Sequence, residues 1–303
     1  MNLVVILGDQ LNSASAAFDG FDAGHDVVWM AEMPSEAEHV WSHKARIAVF
    51  LSGMRHFREA LRVRGFVVDY REMGDSGSLL PELRAAILKH RPAKVVVVEP
   101  GEWRVRNELE ALGDLLEVRE DRHFLTSVAD FREHARGRKQ LRMEYFYREM
   151  RRRYGWLMEK GKPVGGDWNY DPANRGSFSK SGPGLLPAPI SFEPDSITCE
   201  VLELVEKRFA GHPGRLDRFN WPVTEVDAKA ALEDFISHRL RYFGAYQDAM
   251  WTGEPWLYHA RISSSLNLKL LDPREVCAAA EEAYQRGEAP LEAVEGFIRQ
   301  ILG

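Results

Sequence analysis

The sequence predicts an α/β protein, with an N-terminal doubly wound parallel sheet followed by an all-helical domain. Three observations predict it. Short β-branched runs alternate with longer helical patterns over the first 125 residues, the runs are apolar almost throughout, and beyond residue 194 the strand signals stop. A chain of 303 residues with 45% hydrophobic side chains exceeds one comfortable core, which suggests two domains.

Taken in order, residues 3–7, 26–30, 66–70, 94–98 and 115–118 read as strands covered on both faces, because none alternates polar and apolar positions. Helices are expected between them at 35–64, 78–91 and 102–112. In the first, Ile47, Leu51, Met54, Phe57 and Leu61 recur at three- and four-residue spacing as a stripe for the sheet. Ligands of such sheets lie beyond the carboxyl ends of the strands, near a topological switch point. Residues 161–194 hold six glycines and six prolines, a density that predicts a long connection without regular structure. Beyond it, 195–209, 227–242, 273–286 and 290–302 read as helices. The segment from Asp272 to Glu275 has the form of a helix start, with Asp272 as N-cap and Pro273 at the first helical position. The expected division is an α/β domain over 1–130, a basic helix and linker over 131–194, and a helical domain over 195–303.

Composition excludes several classes. No run approaches eighteen apolar residues, and the N-terminus has neither a basic n-region nor a small-residue cleavage site, so a soluble cytoplasmic protein without a membrane partner is expected. Two cysteines, Cys199 and Cys277, cannot supply a disulfide framework, a four-thiolate zinc site or an iron–sulfur cluster. His39 and His43 stand four apart but have no acidic neighbour or third ligand, so no metal site is predicted. Phosphate-loop, GxGxxG, HExxH and GxSxG patterns are absent, and the SxxK of Ser177 to Lys180 lacks its partner motifs.

The net charge of −6 conceals an uneven distribution. Between Arg132 and Arg153 nine basic residues face three glutamates, and MEYFYREMRRRYG interleaves aromatics with Arg148, Arg151 and Arg152. Such a strip suits a phosphate backbone, or equally a solvated amphipathic helix. After strand one, Gly8 permits close backbone approach, while Asp9 and Gln10 can hydrogen-bond the amide edge of a heterocycle; an ordinary strand-to-loop turn is the alternative. Glu32 and Glu36 follow strand two at the same sheet edge. In the helical part, His259, Arg261, Ser263, Ser264, Ser265 and Asn267 gather phosphate donors and hydroxyls within nine residues. Aromatics upstream, Tyr246 among them, suit a planar ring system or a base, or a core helix with a polar first turn.

Taken together, GDQL after strand one, MEYFYREMRRRYG, PVGGDWNYDPANR, FGAYQDAMWTGEPWLYHARISSSLNLKLLDPREV and EGFIRQILG resemble the photolyase/cryptochrome superfamily along essentially the whole chain. They are most similar to its bacterial branch with an iron–sulfur cluster and 6-4 photolyase activity. The resemblance implies an antenna domain, a long connection and a helical FAD domain, with 6,7-dimethyl-8-ribityllumazine as the antenna. It makes Gly8, Asp9, Gln10, Glu32 and Glu36 candidates for the antenna pocket, and Tyr246, His259, Arg261, Ile262, Ser263 and Asn267 candidates for FAD. Ala260 stands where the family generally has a serine. Asp171 and Asp248 match acidic positions linked to the lesion and to a divalent cation, and the basic strip with Arg148, Arg151 and Arg152 fits the same reading, since an acidic protein needs a local basic surface to hold DNA. The implied activity is light-driven repair of UV-damaged DNA; a cryptochrome-like blue-light sensor and a nucleotide-binding module without catalysis are the other readings. In the family, EGFIRQILG leads into Trp-Arg-Glu and a further helical subdomain with the remaining flavin contacts and all four cluster cysteines. The resemblance therefore implies that the chain lacks that part and carries no iron–sulfur cluster.

Overall fold

The five runs expected as strands form one parallel sheet, β1 (Asn2–Val5), β2 (Val27–Ala31), β3 (Val67–Arg71), β4 (Lys94–Val98) and β5 (Leu116–Arg119), ordered β3-β2-β1-β4-β5. The computed structural model describes residues 1–74, 77–186 and 188–302; Pro187 of the connection and Gly303 of the final motif lie outside the described residues. Register places Leu3 beside both Val27 and Val95, and Val5 beside both Trp29 and Val97. The order turns back between β1 and β4, which makes the carboxyl end of that pair the switch point.

Helices cover the sheet because its central strands have no polar face to show water. Leu3, Val5, Trp29, Val95 and Val97 pack with Leu83 of α3 (Leu79–His90) and Leu109 of α4 (Trp103–Glu110), while Val4, Val28 and Val96 are buried on the opposite face. The expectation of full burial fails at the margins: β3 and β5 are edge strands, and Val67 and Val118 are exposed. The helix expected over 35–64 is two, α1 (Pro34–His39) and α2 (Lys44–Val63). Between them Val40 turns extended, and the His43 imidazole accepts the Ala45 N–H at 3.0 Å as a cap. That bond gives His43 a structural task, and a Cβ on Gly214 would collide with its ring. The stripe Ile47, Leu51, Met54, Phe57 and Leu61 is buried as expected, and α2 also packs against α7 (Ser196–Arg208).

The chain forms two compact units. The first comprises 1–123, 191–225 and 267–270, and the second 124–190, 226–266 and 271–303. The second unit holds α5 (Val128–Ala135), α6 (Met143–Tyr154), a short hairpin of β6 (Met158–Glu159) with β7 (Lys162–Pro163), α9 (Leu240–Tyr246), α11 (Pro273–Gln285) and α12 (Leu291–Leu302), together with most of α8 (Glu225–His238) and α10 (Ser263–Asn267). The helix expected over 227–242 breaks at Arg239, which caps α9 outside helical backbone geometry. Asp272 caps α11 by accepting the Arg274 N–H at 2.7 Å. Helices α9 and α12 cross so closely that a Cβ on Gly244 would lie 2.6 Å from the Ala293 Cα and 2.5 Å from Asn174 Oδ1. The buried Asn174 cross-links this crossing, donating to the Glu292 carbonyl at 2.9 Å. Among the described residues no helix is long and apolar enough to cross a membrane.

Candidate cofactor and nucleic-acid sites

In the first unit Gly8, Asp9 and Gln10 leave β1 at the switch point. A turn from the Gln10 N–H to the Leu7 carbonyl swings the Gln10 side chain inward, where Nε2 donates to the Val98 carbonyl at 3.1 Å. Gln10 is 1% exposed, and its Oε1 meets no hydrogen-bond donor among the described residues. A buried acceptor left open in this way marks a place where a ligand's N–H fits. A Cβ at Gly8 would come 3.1 Å from Met54 Sδ, so glycine keeps the backbone close to α2.

Asp9 is half-buried beside a second, deeper pair, Lys269 Nζ with Asp121 Oδ2 at 2.6 Å. Burial raises the Asp9 carboxyl above its usual range, and the Lys269 ammonium only partly offsets this. The folded protein therefore keeps a proton that the unfolded chain has released, and stability falls as pH rises from about 4 through the folded value. Denaturant titrations are expected to show Asp9→Asn more stable than wild type at neutral pH, with the difference closing below about pH 4. A pH-independent difference would contradict this assignment.

Glu32 lies past the end of β2 but is enclosed. Its carboxylate accepts Nε and Nη2 of Arg55 at 2.7 and 3.1 Å, the Tyr70 hydroxyl at 2.7 Å and the Met73 N–H at 2.9 Å. Burial and the Glu32 charge drive the Tyr70 phenol far above its ordinary range. Glu36 pairs with Arg104 at 2.6 Å on the surface. The structure thus brings Gly8, Asp9 and Gln10 to one edge, and spends Glu32 internally.

The second unit gathers the aromatic and cationic candidates. Tyr246 stacks on Phe178 of the Gly/Pro-rich connection, with centroids 4.5 Å apart and planes at 13°, and on Tyr258 at 5.4 Å. His259 is exposed and meets the Phe243 ring edge-on at 6.5 Å. Arg261 stands in left-handed backbone, φ 58°, with its guanidinium 3.9 Å over the Trp256 ring. Ile262 is buried, and Ser263 opens α10 in an exposed position. Asn267 clusters with the first unit rather than with Ser263.

Sequence reasoning missed Arg239. It is 1% exposed and donates Nη2 to Asp234 Oδ2 at 2.6 Å, while its Nε and Nη1 meet no acceptor among the described residues. Burial lowers the Arg261 guanidinium from its usual range, and the nearby Arg239 charge lowers it further. The Ser264 and Ser265 hydroxyls are also buried without partners among the described residues. Two guanidiniums that feel each other, with unused donors on Arg239, form a region short of negative charge, and the two serines follow Arg261 by three and four residues in the chain.

Asp171 opens a single 3-10 turn and binds Arg175 at 2.7 Å and Arg299 at 3.1 Å, which hold its carboxyl below the ordinary range. Asp248 is exposed, and its charge reaches the same Arg175. No group of three or more metal-ligating side chains occurs among the described residues. On α6, Arg148 and Arg152 face outward, but Arg151 corrects the expected strip. It is fully buried and donates to the carbonyls of Trp156, Leu157 and Trp168 at 3.3, 2.7 and 2.9 Å, so it holds the fold rather than a surface.

A model of the family described as "deoxyribodipyrimidine photo-lyase-related protein" matches residues 4–221. The chain belongs to that family. Among its photo-lyase-related relatives, the (6-4) photolyase of Agrobacterium fabrum strain C58 is 48% identical over 309 residues, covering 99% of this chain and 60% of that protein. An uncharacterized protein, R853, of Acanthamoeba polyphaga mimivirus is 38% identical over 58 residues, which cover 19% of this chain and 45% of that protein. The crystal structure of a bacterial class III photolyase from Agrobacterium tumefaciens shares the fold, with a TM-score of 0.61 at 16% identity over 99% of this chain and 56% of that one. The photo-lyase-related chain spans about 60% of the length of the photolyase it matches.

Proposed function

We propose that this chain serves light-driven repair of 6-4 photoproducts in DNA, binding FAD through its helical unit and a lumazine antenna at the sheet edge. The observation that carries the reading is the cationic region of the second unit, the buried Arg239 with two nitrogens that meet no acceptor among the described residues, near Arg261, whose guanidinium rests on Trp256. A planar cofactor that carries phosphates suits that donor set, and a neutral ligand does not. Arg239, Arg261, Ser264 and Ser265 would hold the phosphates, and Tyr246 with Tyr258 would border the ring system. At the sheet edge the open Gln10 acceptor and the Asp9 carboxyl suit the amide edge of a lumazine.

Reduced FAD, when bound, supplies light-excited electron transfer to the lesion. The chain's own residues bind and orient. Arg239 and Arg261 neutralise phosphate charge away from water, and the outward arginines of α6 offer positive charge to a DNA backbone in a protein of net charge −6. The test is to incubate purified protein with FAD and with 6,7-dimethyl-8-ribityllumazine, and then to illuminate it with a reductant and an oligonucleotide carrying a 6-4 photoproduct. Uptake of both chromophores, lumazine more readily than stoichiometric FAD, and reversal of the lesion are expected. Uptake without repair would favour a blue-light sensor, and a preparation that binds neither chromophore would overturn the reading.

A further inference from the structure

Arg151 and Arg152 follow Arg148 by three and four residues, so each lies beside Arg148 on the surface of α6. Left to themselves, three like charges at that spacing splay apart. Here they converge on one side chain. The Trp168 ring centroid lies 5.5 Å from the Arg148 guanidinium carbon, 5.6 Å from that of Arg151 and 4.5 Å from that of Arg152. Each distance is within the range over which the negative face of an indole attracts a cation.

The three arginines differ in what else they hold. Arg151 is buried and donates to the Trp168 carbonyl, so it fixes the backbone on which the indole is mounted. Arg148 is shared with Glu144 through a 2.8 Å ion pair on the same helix. Arg152 is exposed and has no carboxylate partner among the described residues; the indole is what it rests on. A long side chain at the surface ordinarily samples many rotamers, and ordering it costs free energy when it binds. An aromatic face that holds the guanidinium in advance removes part of that cost.

We propose that Trp168 is a positioning residue that holds Arg152, and to a lesser degree Arg148, as a pre-set clamp for a phosphate of the DNA backbone. The inference rests on the reading of the chain as a DNA-repair protein, and it replaces a row of three equivalent arginines by one phosphate contact with a built mount. Arg151 serves the clamp from beneath, through the Trp168 backbone, and does not touch DNA.

The test is fluorescence anisotropy of a labelled duplex, with and without a 6-4 photoproduct, over a series of salt concentrations. Arg152→Ala is expected to weaken binding uniformly on both duplexes and to reduce the salt slope by about one. Trp168→Leu is expected to weaken binding by about two- to fivefold, the scale of one exposed cation–π contact. The Arg152→Ala/Trp168→Leu double variant should bind only slightly worse than Arg152→Ala alone, by the smaller share that Trp168 contributes through Arg148, and Trp168→Phe should restore most of the loss. If Trp168→Leu does not fold, Trp168→Phe measured alone and combined with Arg152→Ala answers the same question through its smaller, non-additive loss. Additive losses, or a Trp168 variant that binds as wild type while Arg152→Ala does not, would overturn the clamp and leave the reading of function intact. A wild-type protein that binds neither duplex would overturn both.

Discussion

Replacing Arg239 with methionine is expected to reduce affinity for FAD by about 100-fold or more, since charge-assisted hydrogen bonds contribute about 1.5–3 kcal/mol each, while hardly altering the stability of the flavin-free protein. Breaking a buried ion pair ordinarily costs about 3–5 kcal/mol. Here two effects oppose. The Asp234 bond is lost, although Asp234 still accepts the Ile190 N–H at 3.2 Å and lies 3.3 Å from His238. In return, two buried nitrogens that have no acceptor among the described residues disappear. The net change without flavin should therefore fall within about 1 kcal/mol of zero. Thermal melting with and without FAD separates the two quantities, because a ligand that binds only the folded state stabilises it by an amount that grows with the logarithm of its concentration over Kd. Wild type should melt higher with FAD, and the variant should not. A variant that unfolds by several kcal/mol without flavin would mean that Arg239 is a structural ion pair and nothing more.

Glu32→Ala is expected to cost about 3–5 kcal/mol, because it leaves a buried guanidinium with only a long 3.7 Å pairing to the exposed Glu200 and also removes the acceptor of the Tyr70 hydroxyl and the Met73 N–H. Urea denaturation reads this directly. The experiment also decides between two roles for the residue. All four hydrogen bonds to its carboxylate come from the protein's own groups, so its influence on an antenna chromophore should follow from the loss of fold. Gln10→Leu is the contrasting variant, since its Oε1 has no donor to lose among the described residues. A stable Glu32→Ala protein that loses only lumazine affinity would place Glu32 at the ligand instead.

The sheet was legible because its strands are buried on both faces, which forces unbroken apolar runs such as the four valines of β4. The break at residues 40–43 was not, because distant groups impose it. The Pro213 carbonyl accepts the Lys44 N–H at 2.8 Å, and His212 meets the Ser42 carbonyl at 2.9 Å, some 170 positions along the chain. Within the sites, Asp9 and Gln10 could be read from their place after β1. Lys269 and Asp121 could not, since nothing local marks a lysine as buried. Arg151 looked like its neighbours in a basic run. Its burial was nonetheless encoded, for it falls four residues after Tyr147 and next to Met150, on the same stripe that α6 turns inward. Arg239 had a comparable signal only in hindsight, as the residue at which one long helical pattern becomes two helices.

The four residues from Asn267 to Leu270 have a consequence for how the protein is made. They belong to the sheet unit, yet the chain on either side of them belongs to the helical one. Leu268 is fully buried and its carbonyl accepts the Leu11 N–H at 3.0 Å, while Lys269 neutralises Asp121. During synthesis the first unit is therefore expected to lack this piece until some 260 further residues have left the ribosome after Leu11. Its last piece arrives inside the other unit's sequence, so neither can be excised as one continuous stretch. Late closure of this kind favours slow folding and a need for protection of the waiting surface.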